Sequence, residues 1–124
     1  MNLTLTAEAT CTPVATRAID QEAAASVAST LKALSDPLRL RMLSAIASDQ
    51  RGETCVCDLA ALAEVSQPTV SHHLKVLKDV GVLTSERRGT WVWYRISPAR
   101  LPAVTALLDL VPALVDETIP GERP

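Results

Sequence analysis

The chain has 124 residues, 48% of them apolar, and a net charge of −2. That is one domain's worth of sequence with enough apolar material for a core; Phe is absent and the aromatics are Trp91, Trp93 and Tyr94, so the core must be mostly Leu, Val, Ala and Ile, which suits packed helices. No stretch approaches the ~18–20 apolar residues of a membrane span, and MNLTLTAEAT lacks the basic-then-apolar order of a signal peptide. A cytoplasmic protein with no membrane contact and reduced thiols is therefore expected. So small a chain buries a limited fraction of its surface alone, and pairing with a second copy would help it.

Residues 1–19 mix Thr, Ala and Pro13 with weak periodicity and read as a flexible N-terminal arm carrying Cys11. A domain spans 20–115. Asp20 caps a helix through QEAAASVASTLKAL, which Glu22 and the alanine run favour. Asp36-Pro37 starts a second, a capping acid followed by Pro at the first helical position, and it runs to about Ser48. Residues 49–52 form a loop. A short helix is expected from about Cys57 to Ala63, then a turn at Glu64-Val65. Ser66 caps the next helix, with Pro68 in its first turn, and Gly81 stops it. From Val82 to Ile96 the period changes: VLTSE and TWVWYRI flank Arg87-Arg88-Gly89 as a hairpin. A last helix carries LPAVTALLDLV and is kinked or ended by Pro112; 116–124 is a frayed tail. A short helix, a tight turn and a capped second helix make a helix-turn-helix, and a hairpin directly after it makes a wing. The expected fold is mainly α with a β-hairpin wing, a winged helix-turn-helix.

From Ser66 to Arg95 the chain carries five basic residues (Lys75, Lys78, Arg87, Arg88, Arg95) against Asp79 and Glu86, a local charge of +3 on an acidic protein. Such a patch fits contact with a polyanion at one face, or a solvated helix and hairpin. In the helix at 66–80, Val70, Leu74 and Leu77 mark a buried stripe. Ser71, His72, Lys75 and Asp79 fall on the opposite side, with Gln67 and Thr69 in the exposed first turn. A helix fits the major groove of DNA with its N-terminal residues at the base edges. On that reading Gln67 pairs with adenine, Thr69, Ser71 and His72 reach bases or phosphates, and Lys75 and Lys78 neutralise phosphates. His73 lies nearer the apolar stripe and reads as a hydrogen-bonded, partly buried histidine. At the wing, Arg87 and Arg88 either enter a minor groove or hold phosphate, or discourage strand pairing at an edge. Trp91 and Trp93 share one strand face and are expected to pack on the helices.

Residues 53–59 read ETCVCDL, with Cys55 and Cys57 one residue apart. Taken alone the pair is packing material, a redox pair or a trap for a soft metal ion. No thioredoxin-like βαβ pattern surrounds it. No catalytic base, Gly-rich phosphate loop or paired-carboxylate site accompanies it either, so an enzyme is not expected.

LSDPLRLRMLSAI, CVCDLAALAEVSQPTVSHHLKVLKDVGVL and RRGTWVWYRI resemble the ArsR/SmtB family of metal-responsive repressors over about residues 30–110. The resemblance implies a homodimer paired through its first and last helices, bound to double-stranded operator DNA of two-fold symmetry and released by an inducer at a separate site. In relatives that sense arsenite, antimonite, cadmium or lead, a CVC motif occupies the positions of Cys55 and Cys57. One arsenite-sensing version has a third cysteine where this chain has Ala60. Other members recruit N-terminal cysteines, which implies Cys11 as the third ligand, from its own chain or its partner's. Three thiolates suit trigonal-pyramidal As(III) or Sb(III) as inducer, a preference the family supplies; DNA binding itself needs no cofactor. A Cd(II)- or Pb(II)-responsive repressor, or one whose cysteines oxidise, is the alternative. On a regular helix, residues i and i+2 point about 200° apart. Cys55 and Cys57 can share one ion only if the chain there is non-helical or the first turn unwinds, so ion binding is expected to reshape the short helix.

Overall fold

The computed structural model describes residues 18–115, so Cys11, most of the expected N-terminal arm and the 116–124 tail lie outside the described residues. The chain divides into two units, with the boundary between Leu31 and Lys32.

In the first unit the described chain enters helix α1 (Gln21–Leu34), which continues past the boundary. Asp20 caps it as expected: its Oδ1 accepts from the Ala23 N–H at 2.7 Å. Ile19, Val27 and Leu31 are exposed apolar side chains on this segment.

The second unit holds the remaining elements. Helix α2 (Pro37–Ser48) begins with Pro37 in its first turn, and the Asp36 side chain accepts from the Arg39 N–H at 3.0 Å. That bond holds the Asp36 carboxyl below its ordinary pKa. Met42, Leu43 and Ile46 form the buried face of α2. A two-residue strand β1 (Thr54–Cys55) leads directly into α3 (Val56–Ala63). Glu64 closes α3 in the left-handed conformation (φ 59°, ψ 40°), which turns the chain sharply toward α4 (Gln67–Asp79). The stripe of Val70, Leu74 and Leu77 is fully buried, packed in one core with Met42, Leu43, Ile46, Leu59, Val82 and Leu83. Its helical spacing places all three on one side of α4 and leaves the other side to solvent.

Strands β2 (Leu83–Arg88) and β3 (Trp91–Ile96) form the wing, joined by Gly89-Thr90. The turn is Gly89-Thr90 in place of the expected Arg87-Arg88-Gly89, so Arg87 and Arg88 belong to a strand. Gly89 has φ +65° and Thr90 does not share it, the pattern of a turn with its glycine first, whose twist matches a hairpin. The sheet order is β1-β3-β2, all antiparallel, with Thr54 opposite Tyr94 and Cys55 opposite Trp93. The third strand is new information: two residues are too few to show a period.

β3 overturns one expectation. Tyr94 and Ile96 face the core, so Trp91 and Trp93 point to the opposite face, with Trp91 45% exposed. WVWYRI is apolar at both phases, and alternation alone does not say which phase faces inward. The last helix is α5 (Leu101–Asp109); Pro112 interrupts it and sits in the first turn of a four-residue α6 (Val111–Leu114). No described helix is long and apolar enough to cross a membrane.

Candidate functional site

The exposed side of α4 begins at its cap. Ser66 Oγ accepts from the Thr69 N–H at 3.3 Å and lies 2.9 Å from Thr69 Oγ1, so Thr69 is held by the cap as well as exposed. Gln67, Ser71 and His72 are exposed beside it, and the Gln67 and Ser71 side chains have no partner among the described residues. One turn on, Lys75 pairs with Asp79 at 3.2 Å. Both are well exposed, so that contact competes weakly with another anion. Lys78 Nζ donates to Ser85 Oγ at 2.8 Å and ties α4 to the wing. The six expected residues of this helix (Gln67, Thr69, Ser71, His72, Lys75, Lys78) are therefore all solvent-accessible.

His73 is the partly buried member of the histidine pair, as expected, and Arg39 is the partner that the sequence does not announce. Arg39 Nη1 lies 3.0 Å from His73 Nδ1, while Arg39 Nε donates to the Ala33 carbonyl. Arginine can only donate, so Nδ1 is the acceptor in that contact.

The two wing arginines differ. Arg87 is exposed and has no partner among the described residues. It shares a face of β2 with Ser85 and Leu83, the side turned toward α4. Arg88 shares the other face with Glu86. Its guanidinium donates to both Glu53 oxygens (2.7 and 2.8 Å) and to Glu86 (2.7 Å). These bonds raise the Arg88 pKa further and pull the Glu53 carboxyl below its ordinary value. Trp93 accounts for its outward position here: the Arg51 and Arg88 guanidinium carbons lie 5.1 and 5.2 Å from its ring centroid. Cationic groups cover the ring in place of core side chains.

The thiol pair lies at the foot of α3. Cys55 is its cap, with extended backbone (φ −77°, ψ 146°), and its sulfur accepts from the Cys57 N–H at 3.2 Å. Cys55 is 2% exposed and Cys57 half-buried. The neighbouring Cys55 sulfur, then burial, push the Cys57 thiol above its ordinary pKa. The extended backbone at Cys55 is the non-helical condition named above, so the divergence of i and i+2 on a regular helix does not apply to this pair. Ala60 is buried in the core, and among the described residues no third His, Cys, Asp or Glu completes an ion site. The pair therefore places two soft donors side by side, the donor type that a thiophilic ion prefers.

A helix-turn-helix whose second helix presents a polar face, followed by a β-hairpin braced against that helix, is a winged helix-turn-helix. Residues 36–85 match the model for bacterial regulatory proteins of the arsR family. The arsenic resistance transcriptional regulator ArsR1 of Pseudomonas putida is 44% identical over 77 residues, 62% of this chain and 59% of that protein. The arsenical resistance operon repressor of Staphylococcus aureus is 38% identical over 65% of this chain and 75% of its own length. Among solved structures, the AntR antimony-specific transcriptional repressor superposes with a TM-score of 0.67 at 35% identity, over 81% of this chain and 86% of that one. The homodimeric winged helix-turn-helix DNA-binding domain from Mycobacterium bovis gives 0.62 at 32% identity, over 76% of this chain and 86% of that one. The chain belongs to the arsR family. It spans about three fifths of the length of the first curated relatives it matches.

Proposed function

We propose that the chain is a metalloid-responsive transcriptional repressor. Two copies bind a two-fold symmetric operator, each laying α4 in a major groove and its wing alongside. Gln67, Thr69, Ser71 and His72 face the bases and nearby phosphates; Lys75, Lys78, Arg87 and Arg88 face the backbone. Arg88 does so from within its pairing with Glu53 and Glu86, whereas Arg87 is free to meet a phosphate. Exposed apolar side chains support pairing through the first and last helices: Val27 and Leu31 on α1, Leu101 on α5, and Leu110, Val111 and Leu114 after it. Apolar faces of this kind are costly in a monomer.

The observation that carries the metalloid reading is the pairing of Cys55 and Cys57 at the extended cap of α3, the helix that precedes the reading helix, with the Cys57 N–H on the Cys55 sulfur at 3.2 Å. As(III) or Sb(III) binds these two sulfurs, with Cys11 as the third ligand, from the same or the partner chain. For arsenite, As(OH)3 and three thiols give As(SR)3 and three waters, so As–S bonds replace As–O bonds with no change of oxidation state. The arsenic-resistance relatives and the antimony-specific structural neighbour support this choice of guest. Occupancy favours a dimer shape whose α4 helices no longer match adjacent grooves, a coupling of about 1–3 kcal/mol in comparable systems. Fluorescence anisotropy of the dimer on its operator, with and without arsenite, tests this. Weaker binding with arsenite is expected, and equal affinities would refute it.

A further inference from the structure

Cys55 is both the first thiol of the pair and a residue of the wing's sheet. It lies opposite Trp93 in the β1–β3 pairing. Two residues earlier, Glu53 receives the bidentate grip of Arg88 at 2.7 and 2.8 Å and a longer bond from Arg95 at 3.5 Å. Arg88, Arg95 and Trp93 all project from the same face of the wing. Cys57 reaches that face by a second route. Its sulfur is 4.0 Å from Asp58 Oδ1, Asp58 pairs with Arg51 at 3.3 Å, and Arg51 lies over the same Trp93 ring as Arg88.

Exposed ion pairs generally contribute little. The Glu53–Arg88 pair differs: it is bidentate, the Glu53 side chain is only 17% exposed, and the arginine is clamped on an aromatic ring. It spans 35 residues of sequence and joins the segment that bears the thiols to the strand that bears the wing's arginines.

Resting on the reading that Cys55 and Cys57 hold the inducer, we propose that Glu53 is the positioning residue that couples thiol occupancy to the wing. Bonds from both sulfurs to one guest fix the end of β1 against the start of α3. Glu53 moves with β1 and carries Arg88, and with it the wing, out of the position that suits the operator. Glu53 touches neither guest nor DNA in this scheme; it sets where Arg88 stands.

The test is Glu53→Gln, which keeps the shape and removes the charge. Arsenite affinity and stoichiometry are measured without DNA, and operator affinity with and without saturating arsenite. The expected result is wild-type arsenite binding with the arsenite-induced loss of operator affinity reduced about tenfold. Linkage requires the reverse as well: operator DNA weakens arsenite binding to the wild type and has much less effect on the variant. A Trp91→Phe background isolates Trp93, whose emission should shift with arsenite and shift less when Glu53→Gln is added. A variant released as fully as the wild type would overturn the role of Glu53 and leave the thiol reading standing. A variant that loses arsenite binding overturns it too, since Glu53 then belongs to the binding site. Wild-type protein indifferent to arsenite would overturn both.

Discussion

Arg87→Ala is predicted to flatten the salt dependence of operator binding. Arg87 stands on the α4-facing side of β2, one alternation beyond Ser85, and Ser85 holds Lys78 at 2.8 Å. Its charge has no carboxylate partner among the described residues, whereas Arg88 is shared between Glu53 and Glu86. Each phosphate neutralised on duplex DNA adds about 0.9 to the slope of log affinity against log salt. A dimer presents two copies of Arg87, so the variant's slope should be smaller by about 1.8. Between about 50 and about 200 mM salt, that makes the wild type lose about twelvefold more affinity than the variant. Arg87→Lys keeps the charge and should keep the slope, because counterion release depends on neutralisation more than on fork geometry. Fluorescence anisotropy titrations across a salt series measure all three proteins. A slope for Arg87→Ala equal to that of the wild type would refute the placement of Arg87 on a phosphate.

Other consequences concern the cap, the thiols and the carboxylates. Ser66→Ala removes the acceptor for the Thr69 N–H and should cost about 1 kcal/mol in urea unfolding; an unchanged midpoint at unchanged slope would show that the cap contributes nothing. The raised Cys57 thiol separates the classes of inducer by pH. Arsenite brings its own oxygens to take the thiol protons away as water, so its apparent affinity should change little from pH 6 to 8. Cd(II) or Pb(II) must expel those protons, so affinity for either should climb with pH through that range. Isothermal titration in two buffers of different ionisation heat counts the protons directly. Glu53 is depressed chiefly by its bonds with Arg88, and Asp49 chiefly by those with Arg51. Folded-state values below the unfolded ones mean stability that is present above the ordinary carboxylate range and lost as pH falls through the folded values. Urea midpoints should therefore drop on acidification below that range, and less steeply in Glu53→Gln; parallel pH profiles would show that the Glu53–Arg88 pair adds nothing to stability.

The helix-turn-helix is legible in the sequence because its signals are local. Asp36 and Ser66 are caps, Pro37 and Pro68 mark first turns, and Val70, Leu74 and Leu77 repeat at the helical period. The exposed side of α4 follows from the same period, and so do the residues proposed to meet DNA. What the sequence hides is set by partners far along the chain. Arg88 reads as a free wing-tip charge until Glu53 is brought to it from 35 residues away. Trp93 reads as core material because β3 is apolar at both phases; only the covering arginines show which phase faces out. The CVC motif read as helix places its thiols on diverging sides. A two-residue strand pinned to β3 makes Cys55 an extended cap instead, and that pairing has no signature of its own. Arg39 as the partner of His73 is hidden for the same reason.

The most direct test of the account is the operator affinity of the Cys55→Ser/Cys57→Ser protein with and without arsenite. Serine keeps the size of each side chain and removes the soft donors, so the variant should bind the operator as the wild type does and stay bound when arsenite is added. Release of the doubly substituted protein by arsenite, at the concentration that releases the wild type, would contradict the claim that these two sulfurs sense the metalloid.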